Sequence, residues 1–448
     1  METMNNYNGT ILVVDLNAQT CSTEELTPDM IEQGLGGAGI NMLLYEQYKD
    51  REPIILGSGL LTATFAPAAC CGVMTAKSPI TGTIAHVPFG WQTGVEMKLT
   101  GFDFVVIGGT SPKPVRLWLH DGLSDLNDAA DIWGKDVWES VDKIREAYGD
   151  EMVQMLVIGQ AGEQKRTLAQ VCENYWSSKD KAGLGAVFGA KNLKAVALRG
   201  LGSLEVAEGF FQKCVELKNQ IVSGTIKGKA GLYDIGTALG IDAGVLEKIK
   251  SMTHRNDAAY NCPYPYYTFL KYNESPSAMD MKGHAEPGCL VSDLAGFAAL
   301  AAAGLEPAQA IERCCRLGLE PAGAAAALKK QGAKDIASLD KLAAEGAAEG
   351  LAVWTVAAEQ QQAIAGITKA FSFAVPPRAV FGQDGGPQWW VQRQAEAYLL
   401  GIDPVIMLMA PELSDEKLAE LVALCSDWED FTADTLKKIA EDLIAKSK

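Results

Sequence analysis

The sequence predicts an α+β protein in which a β-rich N-terminal domain precedes a mainly helical region. Short β-branched runs separated by glycine and proline fill the first 200 residues, and Gly9–Asp15 and Leu193–Leu198 are examples. Such runs are typical of strands. After Gly200 alanine, leucine, glutamate and lysine recur at helical spacing instead. We therefore predict a β-rich domain over residues 1–205 and a helical region over residues 206–448.

Strands and helices are both expected in the β-rich domain. Phe102–Gly108 and Val115–Leu119 flank a Ser-Pro-Lys-Pro turn, a pattern that predicts a β-hairpin. Pro53–Gly57 and Gly72–Ala76 predict strands on either side of a loop, Leu60–Cys71. Apolar residues at helical spacing, or a favourable start, predict helices at Pro28–Gly34, Ile40–Tyr48 and Asp136–Tyr148.

The second half is predicted to contain seven helices and two irregular stretches. The helices are Ala207–Val222, Pro307–Leu317, Ala322–Gln331, Ser338–Ala348, Val353–Ala365, Ser414–Cys425 and Thr432–Ser447. Ser414 and Thr432 are residue types that cap helix N-termini. Lys227–Phe297 shows the least regular pattern, and its proline-rich segment Tyr260–Tyr267 cannot form a helix interior. A loop is expected at Ala374–Trp390.

Charge and composition exclude several classes of partner. The chain has 448 residues and a formal net charge of −17. Such a field repels phosphate backbones and anionic lipid, so we expect no nucleic-acid partner and no membrane partner. The polar N-terminus lacks a signal-peptide pattern, and no apolar run reaches the length of a membrane helix. These observations favour a cytoplasmic protein.

Cysteine and histidine spacing does not predict a metal site. The ten cysteines include no Cys-x-x-Cys and are expected to be reduced, buried thiols. Two adjacent pairs occur, Cys70-Cys71 and Cys314-Cys315, but neighbouring side chains usually point apart, so one metal rarely binds both. The four histidines lack ligand spacing, and His86 is expected to pack or cap rather than ligate. From the residues alone no catalytic set can be identified.

Four motifs in a fixed order, together with a fifth, give the chain a family resemblance. They are Ala76–Gly82, Phe102–Gly108, Ile158–Glu163, Gly185–Lys194 and, beyond them, Tyr233–Ala238. Over roughly residues 8–200 their order and spacing resemble the aldehyde ferredoxin oxidoreductase family. The resemblance implies an N-terminal domain of two β-sheets, followed by helical domains. It also implies tungsten or molybdenum held by two pterins, a nearby four-iron cluster, aldehyde oxidation, and electron transfer to ferredoxin or a partner subunit.

The cysteines that hold the cluster in this family are mostly replaced. Its Cys-x-x-Cys-x-x-x-Cys segment corresponds here to Ala259, Cys262 and Tyr266, and its fourth cysteine corresponds to Asp403. A four-iron cluster needs four thiolates or close substitutes. The resemblance therefore leaves Cys262 as the metal-ligand candidate and predicts that the cluster is absent, unless another thiol such as Cys289 is recruited.

The positions that the resemblance assigns to the pterin cofactor are also altered. They are Pro88, Phe89, Gly90, Lys181, Ala182, Gly183, Gly318, Leu319, Glu320, Gly401, Ile402 and Asp403. Pro88 replaces a residue with a backbone donor, and Trp91 stands where the family has glycine, so we expect Pro88, Phe89 and Trp91 to crowd the pterin-facing side. An expected arginine is missing near Cys71. Lys179 and Lys181 remain as possible phosphate contacts.

Two catalytic features of the family have no clear counterpart in this sequence. The segment that carries the active-site histidine is missing between Arg378 and Gln392, and the acid expected near the metal is matched only poorly, by Glu286. Whether any pterin or metal binds is therefore left open.

Three functions are compatible with this pattern. The first is a non-catalytic structural or regulatory homologue, associated with a paralogous or iron–sulfur subunit in an oligomer. The alternative is an active, divergent tungsten- or molybdenum-pterin oxidoreductase that passes electrons to a partner. The third is a binding protein that stacks a small aromatic ligand on aromatic side chains. Those side chains are Trp91, Tyr260, Tyr264, Tyr266, Trp389 and Trp390.

Overall fold

A computed structural model describes most of the chain and shows an N-terminal β-sandwich followed by helices. The described residues are 6–176, 179–203, 208–271, 288–345, 358–371, 380–381, 385–426 and 428–448.

The sandwich is built from two mixed sheets. The first has the strand order β2-β1-β6-β3-β4-β5, and the second has the order β10-β9-β11-β7-β8. Within each sheet one neighbouring pair is parallel, β1 with β6 and β11 with β7, and the other pairs are antiparallel. The strands are β1 (Thr10–Asp15), β2 (Thr20–Glu25), β3 (Ile54–Ser58), β4 (Gly72–Lys77), β5 (Ile84–Phe89), β6 (Phe104–Gly108), β7 (Val115–His120), β8 (Leu123–Asp128), β9 (Gln154–Ile158), β10 (Val171–Glu173) and β11 (Leu193–Arg199).

Alternating side chains of the two sheets form a shared apolar core. Leu12 and Val14 face it from β1, and Leu117 and Leu119 face it from β7. Successive side chains of a strand point to opposite faces, so each sheet gives every second residue to this core. The two-sheet N-terminal region followed by helices confirms the predicted fold class.

The predicted hairpin of Phe102–Gly108 with Val115–Leu119 is wrong. Strand β6 lies in the first sheet and β7 in the second, so the intervening turn carries the chain between sheets. The true partner of β7 is β8, in register from Val115 opposite Asp128. Asp121 and Gly122 join these strands with positive φ angles of 45° and 79°. A two-residue Asp-Gly connection of this kind is a strong hairpin signal.

Six helices accompany the sandwich. They are α1 (Pro28–Gly34), α2 (Gly37–Tyr48), α3 (Thr93–Leu99), α4 (Val137–Tyr148), α5 (Gln160–Glu163) and α6 (Leu184–Ala190). Helix α4 begins with a capping box between Asp136 and Glu139 and ends at Gly149, whose φ is +67°. The three helices predicted in this half are thereby confirmed, with small shifts at their ends.

The second half contains twelve helices within the described residues and a small antiparallel sheet, β12-β13-β14. The helices are α7 (Phe210–Ser223), α8 (Gly231–Leu239), α9 (Ala243–Met252), α10 (Leu294–Ala302), α11 (Pro307–Leu317), α12 (Pro321–Gln331), α13 (Ala337–Glu345), α14 (Ala358–Ile367), α15 (Gly386–Leu400), α16 (Pro404–Met409), α17 (Asp415–Ser426) and α18 (Ala433–Lys446). The strands are β12 (Thr253–Asp257), β13 (Tyr267–Leu270) and β14 (Cys289–Val291).

Two predictions for this half need correction. Lys227–Phe297 contains α8, α9, the three-stranded sheet and the start of α10, so much of it is regular. The loop expected at Ala374–Trp390 gives way to α15 at Gly386, because a proline in the first turn favours a helix start; residues 374–379 and 382–384 lie outside the described residues. The division at residue 205 remains a prediction, since residues 204–207 are not described.

Within the described residues, no single helix has the length and apolar character to cross a membrane. The pair α10 and α11 passes that test only when taken together, and it is bent by 117°.

Candidate functional site

Two helix junctions in the second half share one local design. Helix α11 passes to α12 through Gly318, Leu319 and Glu320, and α15 passes to α16 through Gly401, Ile402 and Asp403. We call these the Glu320 loop and the Asp403 loop. In each, the glycine ends the first helix with a left-handed φ, +67° or +77°. The acid then caps the next helix, which starts with proline.

Both loops are docked on the N-terminal domain through backbone hydrogen bonds. In the Glu320 loop, Gln170 N donates to Gly318 O at 2.9 Å, and Glu320 N donates to Leu168 O at 2.8 Å. In the Asp403 loop, Cys71 N donates to Gly401 O, and Asp403 N donates to Ala68 O, both at 2.9 Å. The two acids are therefore held at fixed places against the sandwich.

Close packing explains why the Asp403 loop needs its glycine. A Cβ on Gly401 would lie 2.0 Å from Thr62 Oγ1 and 2.8 Å from Cys71 O. The positive φ adds a second reason, because side chains are strained in that region. Glycine thus allows the loop to reach the cysteine-bearing segment.

Two buried lysines connect the sandwich to these loops. Lys181 Nζ donates to Glu320 Oε1 and to Asp293 Oδ2, and its side chain is 1% exposed. Lys179 Nζ donates to Tyr267 OH at 3.2 Å and lies 3.7 Å from Asp403 Oδ2. The lysines are two residues apart, yet each faces a different loop.

The electrostatics of both lysines favour the charged form. Burial alone lowers the pKa of Lys181, but the carboxylates of Asp293 and Glu320 outweigh burial and raise it above its usual value. Burial also lowers the pKa of Lys179, while Tyr267, Asp403 and Glu173 raise it to well above the usual range. Each lysine therefore neutralises negative charge that would otherwise be uncompensated in the interior.

Gly90 lies at the centre of the Asp403 side of this region. A Cβ on Gly90 would be 3.0 Å from Lys179 Nζ, 3.1 Å from Cys71 Sγ and 3.9 Å from Asp403 Oδ2. Its backbone N–H donates to Glu173 Oε2 at 2.6 Å. The structure thus brings the predicted residues Gly90 and Asp403 together around Lys179.

The other predicted pterin residues have structural roles. Pro88 and Phe89 end strand β5 instead of forming a loop, since they pair in register with Val73 and Gly72. Phe89 packs in the core between the sheets. The crowding of a cofactor face by Pro88, Phe89 and Trp91 remains a prediction. Trp91 packs edge-on against Tyr267, with ring centroids 4.5 Å apart.

Ala182 and Gly183 complete the loop that carries the two lysines. Ala182 O accepts a hydrogen bond of 2.7 Å from Ser78 Oγ, which joins the loop to the turn after β4. Gly183 precedes α6 with a φ of +76°, and a Cβ there would lie 2.6 Å from Thr167 O. Both residues hold the loop in place.

The structure changes the interpretation of the adjacent cysteines. Ligand atoms of Cys70, Cys71 and Asp403 all lie within 4.8 Å of one another, so the expectation that vicinal thiols point apart fails here. The predicted metal ligand Cys262 is not in this group, which consists of Cys70, Cys71 and Asp403 among the described residues. Its Sγ is 3.2 Å from Tyr264 O. Burial raises the pKa of Cys262 well above its usual value.

Sequence reasoning missed two acids of the site, Glu173 and Asp293, and did not use the repeated Gly-x-acid-Pro pattern to predict capped helix junctions. Asp293, just before α10, accepts a hydrogen bond from Lys181, and Glu173 at the end of β10 accepts one from Gly90 N. A charged residue that ends an otherwise apolar strand was a usable signal for Glu173. The repeated Gly-x-acid-Pro pattern at residues 318 and 401 was a second signal, because it predicts matching capped junctions.

Several predicted residues lie elsewhere or outside the described residues. Cys289 lies on β14, with its Sγ 3.4 Å from Ala308 O, and its electrostatic neighbour is Cys315. His86 is fully buried between Thr75 Oγ1 and Ser447 Oγ, at 2.8 and 2.9 Å, which agrees with a packing role. Glu286 and Arg378 lie outside the described residues.

The aromatic side chains proposed for ligand stacking are dispersed. Tyr266 is buried and donates to Asp403 Oδ2 at 2.7 Å. Tyr264 donates instead to Gly231 O at 2.9 Å. Tyr260 lies 3.3 Å from Ala63 O, while Trp390 is buried in the helical core. Trp389 lines a separate surface groove with Arg393 and Asp415. A shared stacking site for these rings remains a prediction.

Comparisons with known proteins agree with the order of the motifs. Residues 11–200 match the family described as aldehyde ferredoxin oxidoreductase, N-terminal domain. A tungsten-containing aldehyde ferredoxin oxidoreductase of Pyrococcus abyssi is 36% identical over 242 residues, covering 52% of this chain and 40% of the relative. The enzyme of the same description from Pyrococcus horikoshii is 35% identical over the same shares. The matched region thus spans less than half of these relatives.

Two further comparisons concern a protein named as a subunit and a solved structure. A protein of Pyrococcus furiosus named aliphatic sulfonate oxidoreductase, WOR-like subunit, is 29% identical over 221 residues, which are 44% of this chain and 35% of the relative. The fold resembles a chain of the active site complex BamBC of benzoyl coenzyme A reductase in complex with 1,5 dienoyl-CoA. The TM-score is 0.73 with 18% identity, over 98% of this chain and 88% of that chain. At that identity the likeness shows the fold alone. Residues 11–200 of this chain therefore belong to the family described as aldehyde ferredoxin oxidoreductase, N-terminal domain.

Proposed function

We propose that this chain is a non-catalytic, aldehyde ferredoxin oxidoreductase-like protein that serves as a structural or regulatory subunit. The observation that carries the proposal is the internal pairing of Lys181 with Glu320 and of Lys179 with Asp403. These residues stand at or beside the positions that the family resemblance assigns to the pterins. In this structure each lysine pairs with one of the two acids, so the charges compensate one another without a cofactor.

The pairing disfavours a bis-pterin cofactor at the two loops. Glu320 already accepts hydrogen bonds from Ala322 N and Gly323 N, in addition to that from Lys181. Separating a buried ion pair costs about 3–5 kcal/mol, because it leaves an uncompensated charge. A pterin phosphate that recruited Lys181 would leave Glu320 in that state. The described residues therefore do not fit the cofactor, and we derive no reaction step through it.

The donor set also disfavours a four-iron cluster of the family's type. Of the four positions that the resemblance assigns to it, Ala259, Tyr266 and Asp403 carry no thiol. Cys289 lies on strand β14, where its Sγ packs near the backbone oxygen of Ala308 on helix α11. One thiolate from this set, Cys262, is too few for the cluster.

Association with another subunit follows from the same reasoning and is supported by the comparisons. One relative is named as a subunit, and the structural neighbour comes from a complex of more than one chain. A protein that keeps the family scaffold without its cofactor would act through such an assembly, with a paralogous or iron–sulfur chain as partner.

The experiment is metal and pterin analysis of protein purified from its own host. Tungsten, molybdenum and iron are measured by mass spectrometry, and pterin by the fluorescence of its oxidised form. A tungsten-containing relative from the same culture serves as the control for cofactor supply. We expect the control to contain tungsten and this chain to contain less than about a tenth of an equivalent.

The alternative function, an active tungsten- or molybdenum-pterin oxidoreductase, is favoured by the tungsten-containing relatives. One equivalent of tungsten or molybdenum per chain, together with pterin fluorescence, would replace our proposal with this alternative. Native mass spectrometry of the same preparation tests the partner, and a monomer under all conditions contradicts the subunit role.

A further inference from the structure

We propose that Cys70, Cys71 and Asp403 form a binding site for one soft divalent cation of the zinc type. The site is independent of the proposed subunit role, because it uses thiols that the family's cluster does not use. Among the described residues, these three bring their ligand atoms within 4.8 Å of one another, and all three are buried.

The backbone holds these ligands in place. Cys71 N donates to Gly401 O, and Asp403 N donates to Ala68 O, so the two segments that carry the ligands are hydrogen-bonded to each other. Thr62 Oγ1 also donates to Cys71 O at 2.6 Å. A site whose ligands are fixed in advance loses little conformational freedom when a metal binds.

The donor types match a zinc-like ion. Thiolate sulfur and carboxylate oxygen are both established zinc ligands, and zinc sites are usually four-coordinate. The set therefore resembles a sulfur-rich structural zinc site more than a magnesium or calcium site.

Charge balance explains how a cation fits beside Lys179. In the metal-free form both thiols are buried, where the neutral thiol avoids an uncompensated charge. Binding breaks two S–H bonds, forms two metal–sulfur bonds and releases two protons to solvent. A divalent ion thus replaces two protons, and the net charge of the buried site does not change. The Lys179 ammonium still balances the remaining negative charge.

A second observation points to a ligand at this place. Oε1 of Glu173 is buried and has no hydrogen-bond partner within the part of the chain that the structure describes. Its other oxygen accepts from Gly90 N, and Gly90 borders Cys71 Sγ and Lys179 Nζ. Buried polar atoms are rarely left unpaired. A metal-bound water would donate to this oxygen.

The test is zinc content after expression in zinc-supplemented medium and exhaustive dialysis against a chelator. Cys70→Ser and Cys71→Ser remove the proposed ligands, and Cys289→Ser is the matched control, since it is another buried thiol with one backbone contact. We expect about one zinc per chain in the wild type and in the control. Each ligand variant should retain at least tenfold less.

X-ray absorption of the zinc-loaded wild type supplies a readout that does not depend on how the variants fold. Two or three sulfur scatterers at about 2.3 Å would support the site. A wild type without zinc, zinc retained equally by the ligand variants, or a shell of nitrogen and oxygen alone would each overturn the proposal. A protein that binds zinc but no tungsten agrees with both the zinc site and the non-catalytic subunit role. A protein that binds tungsten and also zinc at these cysteines supports the zinc site but contradicts the subunit role.

Discussion

Lys181→Met tests directly whether the loop that carries Lys179 and Lys181 holds the two halves of the protein together. The substitution removes a buried ammonium that donates to both Asp293 and Glu320, while a methionine keeps much of the side-chain volume. Removing one partner from a buried ion pair costs about 3–5 kcal/mol. Because the stability of a whole protein is about 5–15 kcal/mol, this loss is a large fraction of the total. Urea unfolding followed by circular dichroism measures it.

The control is Lys213→Met, which breaks an ion pair with Glu420 on the surface. Exposed ion pairs contribute little to stability because solvent screens them, so the control should unfold almost like the wild type. In Lys181→Met the two carboxylates are left buried without their cation, and protonation relieves that uncompensated charge. Lowering the pH from 8 to 5 should therefore reduce the destabilisation. A loss equal to that of Lys213→Met, or one that grows as the pH falls, would refute the reasoning.

Two further predictions concern a glycine and a histidine. Gly401→Ala should cost about 1–2 kcal/mol for its left-handed φ, plus about 1–3 kcal/mol for overlap with Thr62 and Cys71. The control is Gly240→Ala, because φ is +68° there as well but no atom lies within 4 Å of the added Cβ. In urea titrations this control should lose only the stability that the left-handed φ costs. Equal losses of unfolding free energy in the two variants would contradict the packing argument. Burial lowers the pKa of His86 to about 3, so the unfolded state binds the extra proton between about pH 3 and 6.5. As the pH falls through this window, the unfolding free energy of the wild type should fall by up to about 1.4 kcal/mol per pH unit relative to that of His86→Gln. Parallel pH profiles of unfolding free energy for the two proteins would exclude this role for the histidine.

The sequence predicted elements well where the signal was local. Helix α11 begins at Pro307 and ends at Leu317 as predicted, because proline at its start and Gly318 after its end are both local signals. The false hairpin shows the limit of such signals. Runs of β-branched residues predict strands, but whether β6 and β7 pair depends on which sheet each one joins. The Asp121-Gly122 dipeptide was an unused local signal for the real hairpin, since few other residue types adopt its backbone geometry.

The candidate site was less predictable because its contacts join distant parts of the chain. Lys181 and Glu320 are 139 residues apart, and Lys181 and Asp293 are 112 apart. No periodicity links them, so only the family resemblance could place Lys181 and Glu320 at one site. The resemblance gave no indication of Asp293, Glu173 or the approach of Cys71 to Asp403. Those contacts depend on tertiary packing, which a motif does not encode.

The two capped loops explain how a cofactor-type scaffold could remain stable without its cofactor. Each loop ends a helix at a left-handed glycine and begins the next with an acid, so the acid is needed for folding in any case. Once buried, that acid needs a compensating charge. Lys179 and Lys181 supply it from one short segment, with Lys179 directed to Asp403 and Lys181 to Glu320. The same four residues would thus be kept for stability alone, and their retention is not evidence that a pterin binds.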